Sequence, residues 1–299
     1  MPPGSHNLTA YILLLITTWG WGCNVIFGKL AVGEISPMQL VSARWLGVSL
    51  LLLVFARKYI VRDWHVIRKH LVFVALMGSA GFTAFNGLYY VAAHTTSAIN
   101  IGILQGSIPV FVMLASFFLF RFKVTLLQSL GVILTLLGVV LVVSGGRLAM
   151  LSQLQFNLGD LYMLLACVLY AAYSIGLSRR PAVSALGLFT AMSVVAFLVS
   201  LPLLAIESQQ QAMGLPTAKG WIIAGLVTLL PSFVSQLLFI RGVELIGAAR
   251  AGVFINLVPV FASIMAVLYL QEALEWHQAF SLALVLGGIG LSELGKDKS

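Results

Sequence analysis

Long apolar stretches run through this chain from one end to the other and decide what it can fold into. Ten stretches of about 20 predominantly apolar residues, the length that crosses a bilayer as a helix, are separated by short polar segments. We therefore predict an all-α integral membrane protein with ten transmembrane helices. The stretches cover roughly residues 9–31, 37–57, 70–93, 97–120, 125–145, 158–178, 185–206, 219–241, 247–270 and 276–294.

The composition leaves little room for a soluble domain. Of the 299 residues, 60% are hydrophobic and only 9% are charged, whereas soluble domains carry about 25% charged residues. This balance excludes a soluble or disordered chain. The longest charged segment between spans, Arg57 to Lys69, is expected to be a loop. Cys23 and Cys167 lie inside apolar stretches and are expected to be packing residues, not a disulfide.

The formal net charge of +8 is explained by membrane topology, so no nucleic-acid partner is expected. With ten spans and the N-terminus inside, twelve Lys and Arg residues lie at cytoplasmic ends, against three at the opposite ends. Those three are Lys29, Arg147 and Lys219, while Arg44 and Arg250 lie within or near spans. An odd number of spans removes this asymmetry. We expect a multi-pass membrane protein, surrounded by lipid bilayer, with both termini cytoplasmic.

The two halves of the chain repeat each other with an offset of 150 residues. At that offset Ile108–Phe111 aligns with Val258–Phe261. The shared Pro-Val-Phe triplet is the strongest evidence for the repeat. The halves, residues 1–150 and 151–299, then hold five spans each. An odd number of spans places the second copy in the opposite orientation. Two inverted five-helix repeats around a central cavity are typical of transporters.

Three prolines interrupt predicted spans. Pro109 and Pro259 occupy matching positions in the two halves, and each removes a backbone hydrogen bond from its helix. Pro231 does the same in the eighth span, where it frees the carbonyl of Val227. Prolines are also tolerated in membrane helices as static kinks, but the matched pair favours broken helices that line a cavity. We expect all three to act as hinge or structural residues.

Several short motifs resemble a known family. In the first half they are Thr96–Ala98, Gly106–Phe111, Gln128 and Gly131, and in the second Gly247–Ala249, Val258–Phe261, Gln271–Glu272 and Gln278. They resemble the EamA repeat of the drug/metabolite transporter superfamily, and Trp19–Asn24 and Arg44 are similar to its first two helices. The resemblance covers essentially the whole chain and implies a ten-helix inner-membrane transporter. Within the superfamily the chain is most similar to YddG-type exporters, which implies export of aromatic and other amino acids.

Polar and aromatic residues near span centres, at helical spacing, are candidates for a substrate site. Such residues also arise from helix packing and from hydrogen bonds between helices. The cluster in the first, third, sixth and eighth spans is favoured as a site because the repeat relates those spans. The candidate substrate-binding residues are Trp21, Asn24, Phe82, Asn86, Tyr89, Tyr170, Tyr173, Ser232 and Gln236.

Other large or charged side chains are expected to lie near the membrane surface. Trp45, Trp221 and Trp276 are near span ends, where Trp usually anchors a helix at the interface. Arg44 and Arg250 reach the interface along their apolar stems only if their spans start a few residues later.

The sequence does not indicate an enzyme. None of the five histidines lies near a span centre, and the nine acidic residues fall at span ends or in loops. We expect no enzyme, no cofactor and no metal site. Two function classes remain: a carrier and a non-transporting membrane scaffold. The matched prolines favour the carrier.

The substrate is expected to be an amino acid with a large apolar or aromatic side chain, moved by alternating access through a monomer. A phosphorylated sugar would need several buried Lys or Arg residues, and it stays an alternative, as does a drug. Without a central acidic group, we expect transport driven by the substrate's own gradient.

Overall fold

The computed structural model describes residues 3–120, 125–147, 157–210 and 214–295, and regular structure in this part of the chain is entirely helical. The predicted boundary between the halves, at residues 150 and 151, lies outside the described residues. The α-helices are α1 (Pro3–Leu30), α2 (Pro37–Phe55), α3 (Arg57–Ile67), α4 (Leu71–Gly78), α5 (Phe85–Ala92), α6 (Ala98–Gln105), α7 (Ile108–Phe120), α8 (Leu126–Val143), α9 (Leu158–Leu177), α10 (Ala185–Gln210), α11 (Ala218–Val227), α12 (Ser235–Ile246), α13 (Ala248–Phe254), α14 (Val258–Leu270) and α15 (Trp276–Leu294).

Nine helical stretches within the described ranges are long and apolar enough to cross a membrane. The chain is therefore a multi-pass, all-helical membrane protein. The last predicted span forms α15, a helix of 19 residues that is less apolar because it carries His277, Gln278 and Glu293. Cys23 and Cys167 are buried and free, as predicted.

The charged segment after the second span is helical, and the prediction of a loop there was wrong. Residues Arg57–Ile67 form α3, which turns Asp63 and Ile67 inward at a spacing of four residues. The Asp63 carboxylate accepts a hydrogen bond from the Ser184 amide at 2.8 Å and another from the Ser184 hydroxyl. A helix satisfies the backbone of this segment while it places one polar and one apolar side chain against the bundle.

Helices in the two halves begin at positions that are 150 residues apart. The matched helices are α6 and α13, which begin at Ala98 and Ala248; α7 and α14, which begin at Ile108 and Val258; and α8 and α15, which begin at Leu126 and Trp276.

A π-helical turn occurs at the same place in both halves. These turns cover Ser79–Ala84 and Thr228–Val234. In the first, the amide of Phe85 donates to the carbonyl of Ala80, five residues back, and the amide of Ser235 makes the equivalent bond in the second. A π turn holds one more residue than an α-helical turn, and such turns are frequent at functional sites.

The spans that contain Pro109 and Pro259 are both broken just before the proline. α6 and α7 are separated at residues 106–107, and α13 and α14 by a 3₁₀ turn at Ile255–Leu257. Each proline then lies in the first turn of the second helix, where its missing N–H costs no hydrogen bond. The breaks therefore lie at matching sequence positions of the two halves.

Glycines bring α8 and α15 into close contact. A Cβ atom on Gly131 would lie 2.4 Å from the carbonyl oxygen of Gly288, and a Cβ atom on Gly138 would lie 2.9 Å from the carbonyl oxygen of Ser281. Gly131 and Ser281 are 150 residues apart, as are Gly138 and Gly288. The contact of Gly131 with Gly288 therefore corresponds to the contact of Ser281 with Gly138. In the second pair, α15 takes the place of α8 and α8 takes the place of α15.

Candidate functional site

A cavity of about 530 Å³ lies among the helices. Its wall includes eight of the nine predicted substrate-binding residues and all three predicted hinge prolines. These residues are Trp21, Asn24, Phe82, Asn86, Tyr170, Tyr173, Ser232, Gln236, Pro109, Pro231 and Pro259.

Aromatic rings form one side of the cavity. The ring of Phe82 stacks on Trp45 with centroids 4.4 Å apart, and it also contacts Tyr173 at 5.5 Å and Phe189 at 5.8 Å. Trp45 is only 3% exposed, so its predicted role as an interfacial anchor was wrong. The π turn at residues 79–84 directs Phe82 at the Trp45 ring and thereby buries it.

A buried arginine forms the polar side of the wall. The Nη1 atom of Arg44 donates to Asn86 Oδ1 at 2.6 Å, to Tyr90 Oη at 2.7 Å and to Asn24 Oδ1 at 3.3 Å. The guanidinium group therefore stays inside the bundle and does not reach the interface, because α1 and α5 supply three neutral acceptors. The Asn86 amide nitrogen in turn donates to the Phe82 carbonyl at 2.6 Å.

Tyr89 was predicted to line the site, but it is not part of the cavity wall defined by the described residues. Its side chain is 1% exposed and packs edge-on against Tyr90, with centroids 5.4 Å apart. The Tyr89 ring lies beside Gly28 of α1, where a Cβ atom would be 3.4 Å from it. Tyr89 is therefore packed between helices and does not face the cavity.

Side chains satisfy the backbone groups around the second π turn. The Ser232 hydroxyl donates to the Val227 carbonyl at 2.5 Å, which is the carbonyl that Pro231 was predicted to free. The Trp21 indole N–H donates to the Pro231 carbonyl at 3.0 Å. Ser232 and Trp21 thus stabilise the second π turn, and both residues also line the cavity.

Residues at matching positions of the two halves line the cavity together. All of the pairs named next are 150 residues apart and line the cavity with both members. They are Asn24 and Ser174, Gly81 and Pro231, Phe82 and Ser232, Asn86 and Gln236, and Pro109 and Pro259. The sequence prediction missed Ser174 and the wall residues Arg44, Trp45, Phe85 and Phe189, although the offset from Asn24 points to Ser174.

One end of the bundle is closed by hydrogen bonds between loops and helix ends. We call this the sealed end; it comprises residues 29–36, 93–98, 214–219 and 271–278. The Lys29 ammonium donates to the carbonyls of Ala93 and Thr96 at 2.8 and 2.9 Å. The Glu272 carboxylate accepts hydrogen bonds from the amides of Ala98 and Ile99 at 2.8 and 3.1 Å.

A second group at the sealed end joins the two halves through Glu34. Its carboxylate accepts from the Thr217 hydroxyl at 2.5 Å and pairs with the Lys219 ammonium at 3.1 Å. The Thr217 hydroxyl first, and then the Lys219 ammonium, hold the pKa of Glu34 below its ordinary value. The contact is therefore ionic at neutral pH.

The cavity extends toward the opposite end of the bundle. Its lining reaches Gln128 in the first turn of α8 and Ser292 and Glu293 in the last turns of α15. The same two helix ends are joined where the Thr125 hydroxyl donates to the Gly295 carbonyl at 3.0 Å. The structure thus has one sealed end and a cavity that reaches the other end.

Comparison with known proteins identifies the family. The model of the EamA-like transporter family matches the chain twice, over residues 8–144 and 157–293. The chain belongs to this family. The EamA match covers almost all of the described helices, so the cavity lies within the family's own fold. The chain is therefore a membrane transporter of the EamA type.

Curated relatives have similar lengths. The chain is 27% identical over 294 residues to the uncharacterized transporter YetK of Bacillus subtilis, with 97% of this chain and 88% of the relative covered. It is 26% identical to the uncharacterized transporter YyaM of the same organism, with 95% and 93% covered. It is 23% identical to the uncharacterized inner membrane transporter YedA of Escherichia coli, with 92% and 88% covered. A crystal structure at 16% identity shares the fold with a TM-score of 0.60 and covers 97% of this chain and 98% of the other.

Proposed function

We propose that this EamA protein is an alternating-access carrier of ten transmembrane helices, arranged as two inverted halves, residues 1–150 and 151–299, around the cavity. The matched helix starts, the paired π turns and the doubled glycine contact between α8 and α15 support this arrangement. Inverted repeats hold the substrate between them and expose it to one side at a time. The sealed end and the extended cavity then correspond to one of the two states.

The substrate we propose is an amino acid with a large apolar or aromatic side chain. The observation that carries this proposal is the aromatic wall around Phe82, which offers apolar contact to a side chain of similar size. Asn24 and Gln236 line the same cavity and offer hydrogen bonds to polar groups of the substrate. Among the described side chains on the wall, Arg44 is the one basic group. A site for a phosphorylated sugar would need several basic groups to bind the phosphate.

We further propose that the carrier is a monomer of the cell inner membrane with both termini in the cytoplasm. The distribution of Lys and Arg supports this orientation, and the relative YedA is named as an inner membrane transporter. The cavity then reaches the cytoplasmic side, and the sealed end faces outward. Export follows from the higher concentration inside the cell. Labelling of single cysteines near Arg62 and near Lys219 from opposite sides tests the orientation.

Uptake by purified protein in liposomes tests the proposed function. Labelled tryptophan is offered with a panel of competing amino acids, phosphorylated sugars and aromatic drugs. We expect saturable tryptophan flux that large apolar amino acids inhibit. Competition by phosphorylated sugars but not by amino acids contradicts the proposed substrate, and the absence of flux for every class favours a scaffold.

Two phenylalanine variants make the test specific to the cavity. Phe82→Leu removes a ring from the wall and is expected to slow transport of phenylalanine and tryptophan more than that of alanine. Phe118→Leu makes the same change at a side chain that is 75% exposed on α7, so it serves as the matched control. Equal effects of the two variants contradict a role of the aromatic wall in selectivity.

A further inference from the structure

Arg44 is a buried cation that has no anionic partner in the described part of the chain. The residue is 7% exposed, and its three hydrogen bonds go to neutral oxygens of Asn24, Asn86 and Tyr90. None of the four ion pairs among the described residues includes it. A guanidinium group within a membrane protein is costly without a partner, and this residue lines the cavity.

The unused atoms of Arg44 lie along one edge of the guanidinium plane. All three hydrogen bonds are made by Nη1, and Nε has no partner. Nε and Nη2 together form the side of an arginine that binds a carboxylate through two parallel N–H···O bonds. Asn24, Asn86 and Tyr90 therefore hold Nη1 and leave Nε buried without a partner.

The cavity offers no comparable partner to an ammonium group near Arg44. The one acidic residue on the described wall is Glu293, which lies in the last turn of α15, at the end of the bundle opposite the sealed end. The ring of Trp45 lies next to Arg44, with the guanidinium carbon 5.2 Å from its centroid. An anionic group bound by Arg44 is therefore next to aromatic surface and not next to an acid.

We propose that Arg44 binds the carboxylate of the transported substrate, and that this carboxylate, not the ammonium group, is required for binding. The inference rests on the proposed carrier function and narrows its substrate class. Aromatic and large apolar monocarboxylates without an amino group are then ligands of the same site. Amines that lack the carboxylate are not.

Binding of matched ligands to the purified full-length protein tests this proposal by calorimetry. Tryptophan, indole-3-propionate and tryptamine share one ring; the second lacks the ammonium group and the third lacks the carboxylate. We expect similar affinities for the first two and a loss of about 10- to 100-fold for tryptamine, the range expected for charge-assisted hydrogen bonds. Leucine, 4-methylpentanoate and isopentylamine form an aliphatic series of the same design.

Variants of Arg44 connect the ligand preference to this side chain. Arg44→Gln is expected to abolish the preference for the carboxylate, and Arg44→Lys to retain part of it because the charge stays but the bidentate edge is lost. Arg241→Gln, at an exposed arginine that pairs with Glu244, is the matched control and is expected to bind as the wild type does. If Arg44→Gln does not fold, the ligand series on the wild type decides the question.

The outcomes separate this inference from the proposed function. Tryptamine binding as well as tryptophan does, with indole-3-propionate failing to bind, overturns the inference and leaves an amino-acid carrier in place. A carboxylate requirement in the aliphatic series alone supports the Arg44 site but contradicts the aromatic substrate. No binding by any carboxylate of either series overturns the inference.

Discussion

The carboxylate of Glu272 accepts a hydrogen bond from the backbone amide of Ala98 at 2.8 Å, although 174 positions separate the two residues in the chain. The contact joins the end of α14 to the first turn of α6 at the sealed end. Because a carboxylate at a helix N-terminus satisfies free amides and favours the helix dipole, this contact stabilises the sealed end. In the proposed carrier, we expect this contact to break when that end opens.

We expect Glu272→Ala to increase opening at the first turn of α6. Loss of a capping side chain costs about 0.5–2 kcal/mol, so amide exchange in a peptide covering residues 98–105 should become about 2- to 30-fold faster. Hydrogen–deuterium exchange with mass spectrometry in detergent measures it. Glu244→Ala, at an acid that is exposed and paired with Arg241, is the control. Unchanged exchange in Glu272→Ala contradicts a sealing role.

The glycine contact between α8 and α15 yields a prediction for stability. Gly288→Ala places a Cβ atom 2.4 Å from the Thr135 hydroxyl and 2.5 Å from the Gly131 carbonyl, so it should destabilise the protein by about 1–3 kcal/mol. The midpoint of thermal unfolding of the purified protein reports the change.

Gly287→Ala is the matched control, because nothing lies within 4 Å of a Cβ atom at the adjacent position. We expect it to leave stability unchanged or to raise it slightly, since Ala is favoured over Gly in a helix. Similar losses in the two variants mean that α8 and α15 are not packed as described.

The hydroxyl of Ser232 is expected to stabilise the second π turn. Ser232→Ala removes the side-chain hydrogen bond to the Val227 carbonyl, and a hydrogen bond of this kind contributes about 0.5–1.5 kcal/mol. Ser178→Ala removes an exposed hydroxyl that also bonds a carbonyl of its own helix, and it should have little effect. A comparison of unfolding midpoints in detergent decides between these expectations.

Pro109→Ala and Pro259→Ala are expected to lower the transport rate more than the folded yield. Each change restores an N–H and favours a continuous helix across the break, which opposes a movement of the two halves about these points. Liposome flux is compared with the amount of monodisperse protein. Parallel loss of flux and yield indicates a structural role for both prolines.

Transport is expected to follow the substrate gradient and not a proton gradient. In the described part of the chain the cavity wall holds one acidic residue, Glu293, and Glu244 is exposed and paired with Arg241 at 2.8 Å. Flux of the best substrate with and without an imposed pH gradient measures coupling. Uphill accumulation that depends on the pH gradient and is lost in Glu293→Gln or Glu244→Gln contradicts this expectation.

The spans, the proline breaks and eleven of the thirty residues on the cavity wall could be predicted from sequence, because they depend on local patterns. A run of apolar residues, a proline within it and a helical spacing of Asn86 with Phe82 each carry their signal within one helix. The offset between the halves adds a second, independent signal for pairs such as Asn86 and Gln236.

The environment of Arg44 could not be predicted, because its partners lie on two other helices. Nothing in α2 distinguishes an arginine that reaches the surface from one that bonds Asn24 and Asn86. The same holds for Trp45, whose burial depends on Phe82. Tyr89 was misplaced for a related reason: the helical spacing gives its face only approximately, and its packing depends on neighbours such as Tyr90 and Gly28.

The paired π turns carry information about the history of the chain. A π turn is an α-helix with one residue inserted, and such an insertion is usually costly unless it serves a purpose. The turns at Ser79–Ala84 and Thr228–Val234 lie at the same place in two copies of one family motif. The most economical account is a single insertion in an ancestral half-length gene, inherited by both copies when that gene was duplicated and fused.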